Sequence, residues 1–401
     1  MEVEATMAQG SLDYLKGELA KLEADGLAIH PRTLEGEQRA RTRFDGRDVI
    51  NLASNNYLGL AAHPRLKEAA SKAAAELGAG SGAVRTIAGT MSLHRELEQR
   101  FAEFKGAEAA LMFQSGFTAN AGTVAAILTP DDVIVSDQLN HASIIDGARL
   151  SRAEIKVFPH KEAAAADRLL QETRREGRRQ LLITDGVFSM DGDIAPLPDL
   201  VEVAERHGAI MMIDDAHASG VLGPGGKGTV AHFGLDPRRV DVQVGTLSKA
   251  IGVLGGFIAG PPHLIEWLVN RGRPFLFSTS CPPAVAAACI AALEVMHEEP
   301  ERIERLWDRT RFFKQGLQAL GFDTGQSETP ITPVIAGEAQ TAQDLARLLW
   351  EEGVFTPAIV FPTVPRGQSR VRTIVTADHT EEDLKEALDA FERVGRKLGL
   401  I

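Results

Sequence analysis

Lys249 stands in the stretch V-Q-V-G-T-L-S-K-A-I-G-V-L-G-G, residues 242–256, where a short apolar run meets a hydroxyl-rich turn and a glycine-rich exit. An amine there, with Thr246 and Ser248 just before it, suits Schiff-base chemistry. Burial and neighbouring charge lower such a pKa, and the neutral amine is the nucleophile. A surface lysine after a buried strand would look the same in this segment alone. Other apolar runs end in a similar way. Asp137 and His141 follow 133–135, Asp185 and Ser189 follow 181–183, and Asp214, Asp215 and His217 follow 210–213. An aspartate after a strand is as often a helix cap, and a lone histidine is more often packed than reactive. Those separate readings give no reason for four strands to end alike. Together the strands deliver two imidazoles, carboxylates, hydroxyls and a lysine to one rigid edge, which is what a cofactor site requires.

The elements that must hold these groups follow from the hydrophobic pattern. Strand-length apolar runs fall at 133–135, 155–158, 181–183, 210–213, 242–244 and 256–259, with helical segments such as 163–175 and 197–207 between most of them. That alternation predicts an α/β fold with a mostly parallel central sheet covered by helices, and ligands bind such sheets beyond the carboxyl ends of the strands. Leu12, Leu15, Leu19 and Leu22 predict an amphipathic opening helix, and Leu93, Leu97, Phe101 and Phe104 another. A strand near 49 runs into the Asn-rich turn S-N-N-Y-L-G-L. The C-terminal third reads as a smaller α/β unit: a helix near 300–320, a strand with Pro330 and Pro333, a strand at 371–376, and a last helix opened by a Thr380–Asp383 capping box. The expected division is an N-terminal helical segment over 1–48, a large domain over 49–290 and a small domain over 291–401.

With 401 residues and a net charge of -12, the chain has room for more than one core and lacks the basic excess expected of a nonspecific nucleic-acid binder. Neither an apolar leader nor a membrane-length apolar run is present, so a cytoplasmic protein is expected. Cys281 and Cys289 match no zinc spacing and read as buried thiols in a reducing compartment.

Three glycine-rich segments compete as anion sites. G-A-G-S-G-A at 78–83 follows a helical stretch rather than a strand, the wrong context for a dinucleotide loop. In G-V-L-G-P-G-G-K-G at 220–228 the lysine is followed by Gly228, where a phosphate loop needs Ser or Thr. S-G-F-T-A-N at 115–120 is the better cradle, because Gly116 and Phe117 open a helix whose free N–H groups attract an anion. Arg370 and Arg372 are two apart on a strand and so share a face, where one could grip a carboxylate in bidentate fashion.

In order, the segments S-N-N-Y-L-G-L, Q-S-G-F-T-A-N, L-N-H-A-S-I-I-D-G, T-D-G-V-F-S-M-D-G, D-D-A-H, G-T-L-S-K, R-P-F-L-F-S-T-S and F-P-T-V-P-R-G-Q-S-R-V-R-T span about residues 50 to 380. In that order they resemble the α-oxoamine synthases, pyridoxal-phosphate enzymes of fold type I. The resemblance implies that Lys249 holds pyridoxal 5'-phosphate, Asp214 pairs with the pyridine nitrogen and His141 lies on the ring face. It places His217 at the phenolic oxygen with Ser189 close by. Gly116, Phe117 and Thr246 would bind the phosphate, and Ser278 and Thr279 would reach it from the neighbouring subunit of a homodimer with shared sites. Asn55 and Arg372 match the groups that hold the amino-acid carboxylate.

The implied reaction condenses an amino acid, glycine or alanine, with an acyl-CoA and releases CoA. Within the family the C-terminal motifs look closest to the members that join glycine and acetyl-CoA to 2-amino-3-oxobutanoate. Members joining alanine and pimeloyl-CoA, or a pimeloyl carrier protein, in biotin synthesis are the alternative. A fold type I aminotransferase is a rival class, against which the L-N-H-A-S and R-P-F-L-F-S-T-S segments count.

Overall fold

A computed structural model describes residues 10–401. Its centre is a seven-stranded sheet built from β3 (Ala109–Phe113), β4 (Val133–Asp137), β5 (Glu154–Phe158), β6 (Gln180–Asp185), β7 (Ile210–Asp214), β8 (Val242–Thr246) and β9 (Gly256–Gly260). The strand order is β3-β9-β8-β7-β6-β4-β5. Only β9 runs against the others, antiparallel to β8 on one side and β3 on the other. The six apolar runs read from the sequence are all strands. The antiparallel turn-back of β9 and the presence of β3 are additions. Apart from its edge strand β5, the sheet is buried on both faces, as parallel sheets are when helices cover them. Leu181 and Ile183 pack on one side with Val124, Ile144 and Leu268, while Leu182 packs on the other with Leu170, Leu200 and Val201. That is the period of two expected along a strand.

Two smaller sheets complete the chain. In one, β10 (Ile331–Gly337), β13 (Ser369–Ile374) and β12 (Ala358–Ile359) lie antiparallel in the order β10-β13-β12. In the other, β1 (Arg41–Phe44) pairs antiparallel with β2 (Arg47–Asn51), which runs parallel to β11 (Val354–Phe355). The helices Glu301–Leu320, Ala339–Glu351 and Glu381–Leu398 close this region over a core containing Phe313, Leu317, Leu345, Val371 and Phe391. Ile50 and Leu52 belong to the same core. We therefore propose that the boundary expected at residue 48 moves past residue 52, with the β1–β2 hairpin joining the C-terminal unit. The Thr380–Asp383 capping box forms as read, each side chain accepting from the other's backbone N–H. Leu12, Leu15, Leu19 and Leu22 lie on or beside the helix Tyr14–Ala24 but are all exposed, so this apolar face joins no core among the described residues. Among the described residues no helix is long and apolar enough to cross a membrane. Cys281 and Cys289 are buried free thiols, and burial pushes Cys281 up to about 12.

The glycine run 220–228 wraps an ammonium instead of a phosphate. Lys105 Nζ, fully buried, donates to Asp215 Oδ2 and to the Lys227 carbonyl, each at 2.7 Å. Gly228 has φ +104°, and a Cβ there would lie 2.1 Å from Asp215 Oδ2, so only glycine lets the loop close on the pair. Asp215 also accepts from Thr229 N at 3.1 Å. Removing one partner of a buried pair leaves an uncompensated charge, a loss of about 3–5 kcal/mol. Lys105→Met is expected to lower the unfolding free energy by about that amount in chemical denaturation. A change within about 0.5 kcal/mol would show that the pair does not anchor the turn after β7.

Candidate functional site

The carboxyl ends of β4, β6, β7 and β8 meet at one edge, joined by the start of the inverted β9. Asp185 and Asp214 are register partners on adjacent strands and both are buried. Asp214 is well supplied with donors: Asn120 Nδ2 at 2.6 Å to Oδ2 and the Ala216 N–H at 2.9 Å to Oδ1. Asp185 receives the His141 N–H at 2.7 Å. Burial first, and then the charge of Asp214, push the Asp185 carboxyl well above the usual range. The site therefore disfavours the charged form of Asp185.

His141 caps the helix Ala142–Ser151. Its Nδ1 accepts from the Ser143 N–H at 3.2 Å and faces Ser143 Oγ at 2.7 Å. Accepting a backbone N–H requires a bare Nδ1, so the neutral ring carries its proton on Nε2. Burial lowers the pKa of this histidine, Asp214 opposing and Lys249 assisting. His217 is buried, and burial with the charges of Lys249, Arg372 and His141 holds it well below its ordinary value. Its Nδ1 lies 2.8 Å from Tyr57 Oη. Tyr57 sits in the S-N-N-Y-L-G-L turn, is fully buried, and burial raises its pKa. The sequence reading quoted that motif without assigning Tyr57 a role, and no local spacing could pair residues so far apart.

Lys249 lies in the turn from β8 to β9 and lines a cavity of about 330 Å³ with Gln38, Asn55, Asn56 and Ser248. Burial lowers its amine to about 8, against the opposing pull of Asp214 and Asp185. The Asn55 Oδ1 is buried without a hydrogen-bond partner. Thr246 Oγ1 donates to the Gly255 carbonyl at 3.1 Å and faces Ser248 Oγ at 2.9 Å.

Beside this turn the helix Gly116–Ile127 begins. Ser115 accepts from the Thr118 N–H at 3.0 Å, which leaves the first-turn N–H groups of Gly116 and Phe117 without intrahelical partners. A Cβ on Gly256 would stand 2.5 Å from Gly116 N, and one on Gly116 would stand 3.2 Å from the Thr246 Cβ. Glycine at both positions lets strand and helix end close into an anion cradle.

The two arginines on β13 divide. Arg370 Nη1 pairs with Asp191 Oδ1 at 2.5 Å. Arg372 has no carboxylate partner among the described residues. Its Nη1 donates to the Ser189 carbonyl at 3.1 Å, and its buried Nε has no partner. Ser189 thus meets the site through its backbone. Ser278 and Thr279 follow the helix Arg273–Phe277; Thr279 is exposed and only its carbonyl is engaged, by Gln114 Nε2 at 3.0 Å. The remaining groups, Asn120 and Asp185 among them, gather around Asp214 and Lys249. A nucleophilic amine, a dedicated carboxylate, an anion cradle and an unpaired guanidinium are the parts needed to bind a phosphorylated carbonyl cofactor beside an amino acid.

Comparison with known proteins agrees with this arrangement. The family model for aminotransferase class I and II matches residues 47–391. The chain is 62% identical over 389 residues to the 8-amino-7-oxononanoate synthase of Symbiobacterium thermophilum, covering 97% of this chain and 99% of that protein. It is 52% identical over 389 residues, with the same coverage, to 8-amino-7-oxononanoate synthase 1 of Bacillus subtilis. Among solved structures, the serine palmitoyltransferase of Sphingomonas wittichii superposes with a TM-score of 0.92 at 32% identity, covering 99% of this chain and all of that one. With the fold, the motif order and most of the chain's length in agreement, the chain belongs to the α-oxoamine synthase family of fold type I pyridoxal-phosphate enzymes.

Proposed function

We propose that this enzyme condenses alanine with a pimeloyl thioester to give 8-amino-7-oxononanoate, carbon dioxide and the free thiol. The observation that carries this reading is that relatives 52–62% identical over nearly the whole chain bear the name 8-amino-7-oxononanoate synthase. Motif resemblance alone put glycine and acetyl-CoA first. The relatives weigh against that order and favour its alternative. The coarser activity, pyridoxal-phosphate-dependent acyl transfer, is common to both.

The residues fit the cofactor. The glycine-walled cradle at Gly116, Phe117 and Thr246 suits the phosphate, and Asp214, steadied by Asn120, suits the pyridine nitrogen. When bound, pyridoxal phosphate supplies an electron sink for charge developing at the amino-acid α carbon. Asp214, held in place by its two donors, would face the ring nitrogen. His141, fixed by its cap on Ser143, would lie on the ring face, and His217, with Ser189 close by, would meet the phenolic oxygen. Lys249, with its amine near 8, serves both as the attachment point and as the base that takes the α proton. Arg372 and Asn55 hold the carboxylate: the bare Arg372 Nε has an N–H left to donate, and Asn55 donates from its amide Nδ2. Ser278 and Thr279 serve the phosphate of the partner subunit's site in a homodimer, and the exposure of Thr279 supports that placement.

Thiol release decides the substrates. Alanine with pimeloyl-CoA is expected to exceed glycine with acetyl-CoA by at least about tenfold in kcat/KM; the reverse preference would restore the glycine reading. A second expectation concerns pH. The Lys249 amine is protonated below about 8, so uptake of pyridoxal phosphate by apoprotein should accelerate with rising pH and level off above that value. A rate independent of pH between 6 and 8 would remove Lys249 as the attacking amine. The arginines give a third. Arg372→Ala should raise the KM for alanine roughly ten- to hundredfold with the fold intact, the worth of charge-assisted hydrogen bonds. Arg370→Ala should chiefly lower thermal stability, through the loss of its Asp191 pair. Equal effects of the two on KM would contradict the division of roles.

A further inference from the structure

Outside the groups used above, one imidazole joins two carboxylates. His160 follows β5, with Nδ1 3.0 Å from Asp137 Oδ1 and Nε2 2.8 Å from Asp193 Oδ2. Its ring meets Phe188 edge-on at 4.3 Å. Carboxylate oxygens only accept, and a neutral imidazole has one N–H, so only the doubly protonated ring satisfies both contacts. Burial lowers the pKa of this ring, but its hydrogen bonds to Asp137 and Asp193 outweigh it and raise it to about 9. The other charges facing the group are Lys161, whose Nζ is 3.2 Å from Asp193 and 3.5 Å from Glu328, and Glu328 itself, which accepts from the Ile194 N–H at 3.0 Å.

Asp193 closes a hairpin over 187–194. Val187 and Ile194 bridge, and the Phe188 N–H donates to the Asp193 carbonyl at 3.1 Å. The tip of this hairpin is what both β13 arginines hold: Arg372 donates to the Ser189 carbonyl, and Arg370 donates to the Met190 carbonyl at 3.2 Å and to Asp191. On its far side the Gly192 carbonyl accepts from Glu328 N at 3.0 Å and Thr329 Oγ1 at 2.8 Å. The hairpin is therefore fastened to the large sheet at its base by His160, and to the small sheet along its tip. The guanidinium that lacks a carboxylate partner among the described residues takes its bearing from the tip.

We infer that His160 is a positioning residue: as an imidazolium it clamps the 187–194 hairpin to the end of β4 and thereby aims Arg372 at the substrate carboxylate. This rests on the reading of Arg372 given above. The sign follows from the raised pKa. The clamp is complete below the ordinary histidine value and is lost as pH rises through about 9. Its loss should loosen amino-acid binding and leave the chemistry at Lys249 untouched.

The test pairs kinetics with a titration. His160→Gln, which offers one neutral donor, should raise the KM for the amino acid about five- to tenfold at neutral pH, with kcat changed by less than about twofold. The ratio of variant to wild-type KM should fall toward one as pH passes about 9, because the wild type then loses its clamp as well. Taking that ratio cancels the titration of the substrate's own amine. A ratio that stays constant with pH, an unchanged KM, or a matched loss of kcat would overturn the proposal. NMR titration of the wild-type apoprotein, with the His160 signals assigned by their absence in the variant, should show both ring nitrogens protonated at pH 7. If the variant does not fold, selective labelling of the wild type still decides, since a ring neutral at pH 7 excludes the clamp. The amino acid used is the one the wild type turns over. Failure with alanine would count against the proposed substrate, and not against His160.

Discussion

Two buried carboxylates side by side on a sheet cannot both ionise cheaply, and the site is organised around which one does. Asp185 and Asp214 end neighbouring strands, a spacing of about 5 Å in any sheet. Asp214 has an amide side chain and a backbone N–H turned toward it, whereas Asp185 has one backbone donor. The charged form is therefore the disfavoured one at Asp185, and Asp214 is the acid furnished with donors. Asn120 reaches it from the interior of the cradle helix, so on the proposed reading the phosphate end and the nitrogen end of the cofactor would be set by one rigid element. Moving that helix would disturb both at once.

The strand ends could be read from the sequence because parallel strands buried on both faces leave compact apolar runs, and the residues just after them must lie at one edge. The placement of Lys249, His141, Asp214 and His217 beyond the strand ends was legible for that reason. β3 was not. Its A-A-L-M-F run carries no β-branched residue and lies just past the Gly106 cap of the helix Ser92–Lys105, so its composition does not mark it as strand. Tyr57 against His217 and Lys105 against Asp215 were out of reach for a different reason. Contacts across a hundred or more residues depend on packing, which periodicity does not encode. The exposed leucine face near the N-terminus shows the opposite failure, a clear amphipathic pattern with no core beneath it among the described residues.

Arg370 and Arg372 illustrate how register completes what spacing leaves open. Both project from the same face of β13, yet Asp191 neutralises one and leaves the other free. A charge already paired inside the protein has little left to offer a ligand. The free one keeps its Nε buried, where a carboxylate is worth more than it would be in water. The same economy limits substrate choice: alanine and glycine share that carboxylate and differ by a methyl group, which a pocket can weigh at only about 1–3 kcal/mol.

β9 is the strand that breaks the parallel rule, and it begins at the edge where its neighbours end. The chain that leaves β8 at Thr246 returns to the same edge at Gly256, pressed against the first residue of the cradle helix. Thr246 closes the excursion by donating to the carbonyl just before that return. A reactive amine carried on an ordinary crossover loop would inherit the wandering of a long connection. Here the lysine rides on a staple with both legs driven into the sheet, so the freedom it must give up to react has already been surrendered in folding.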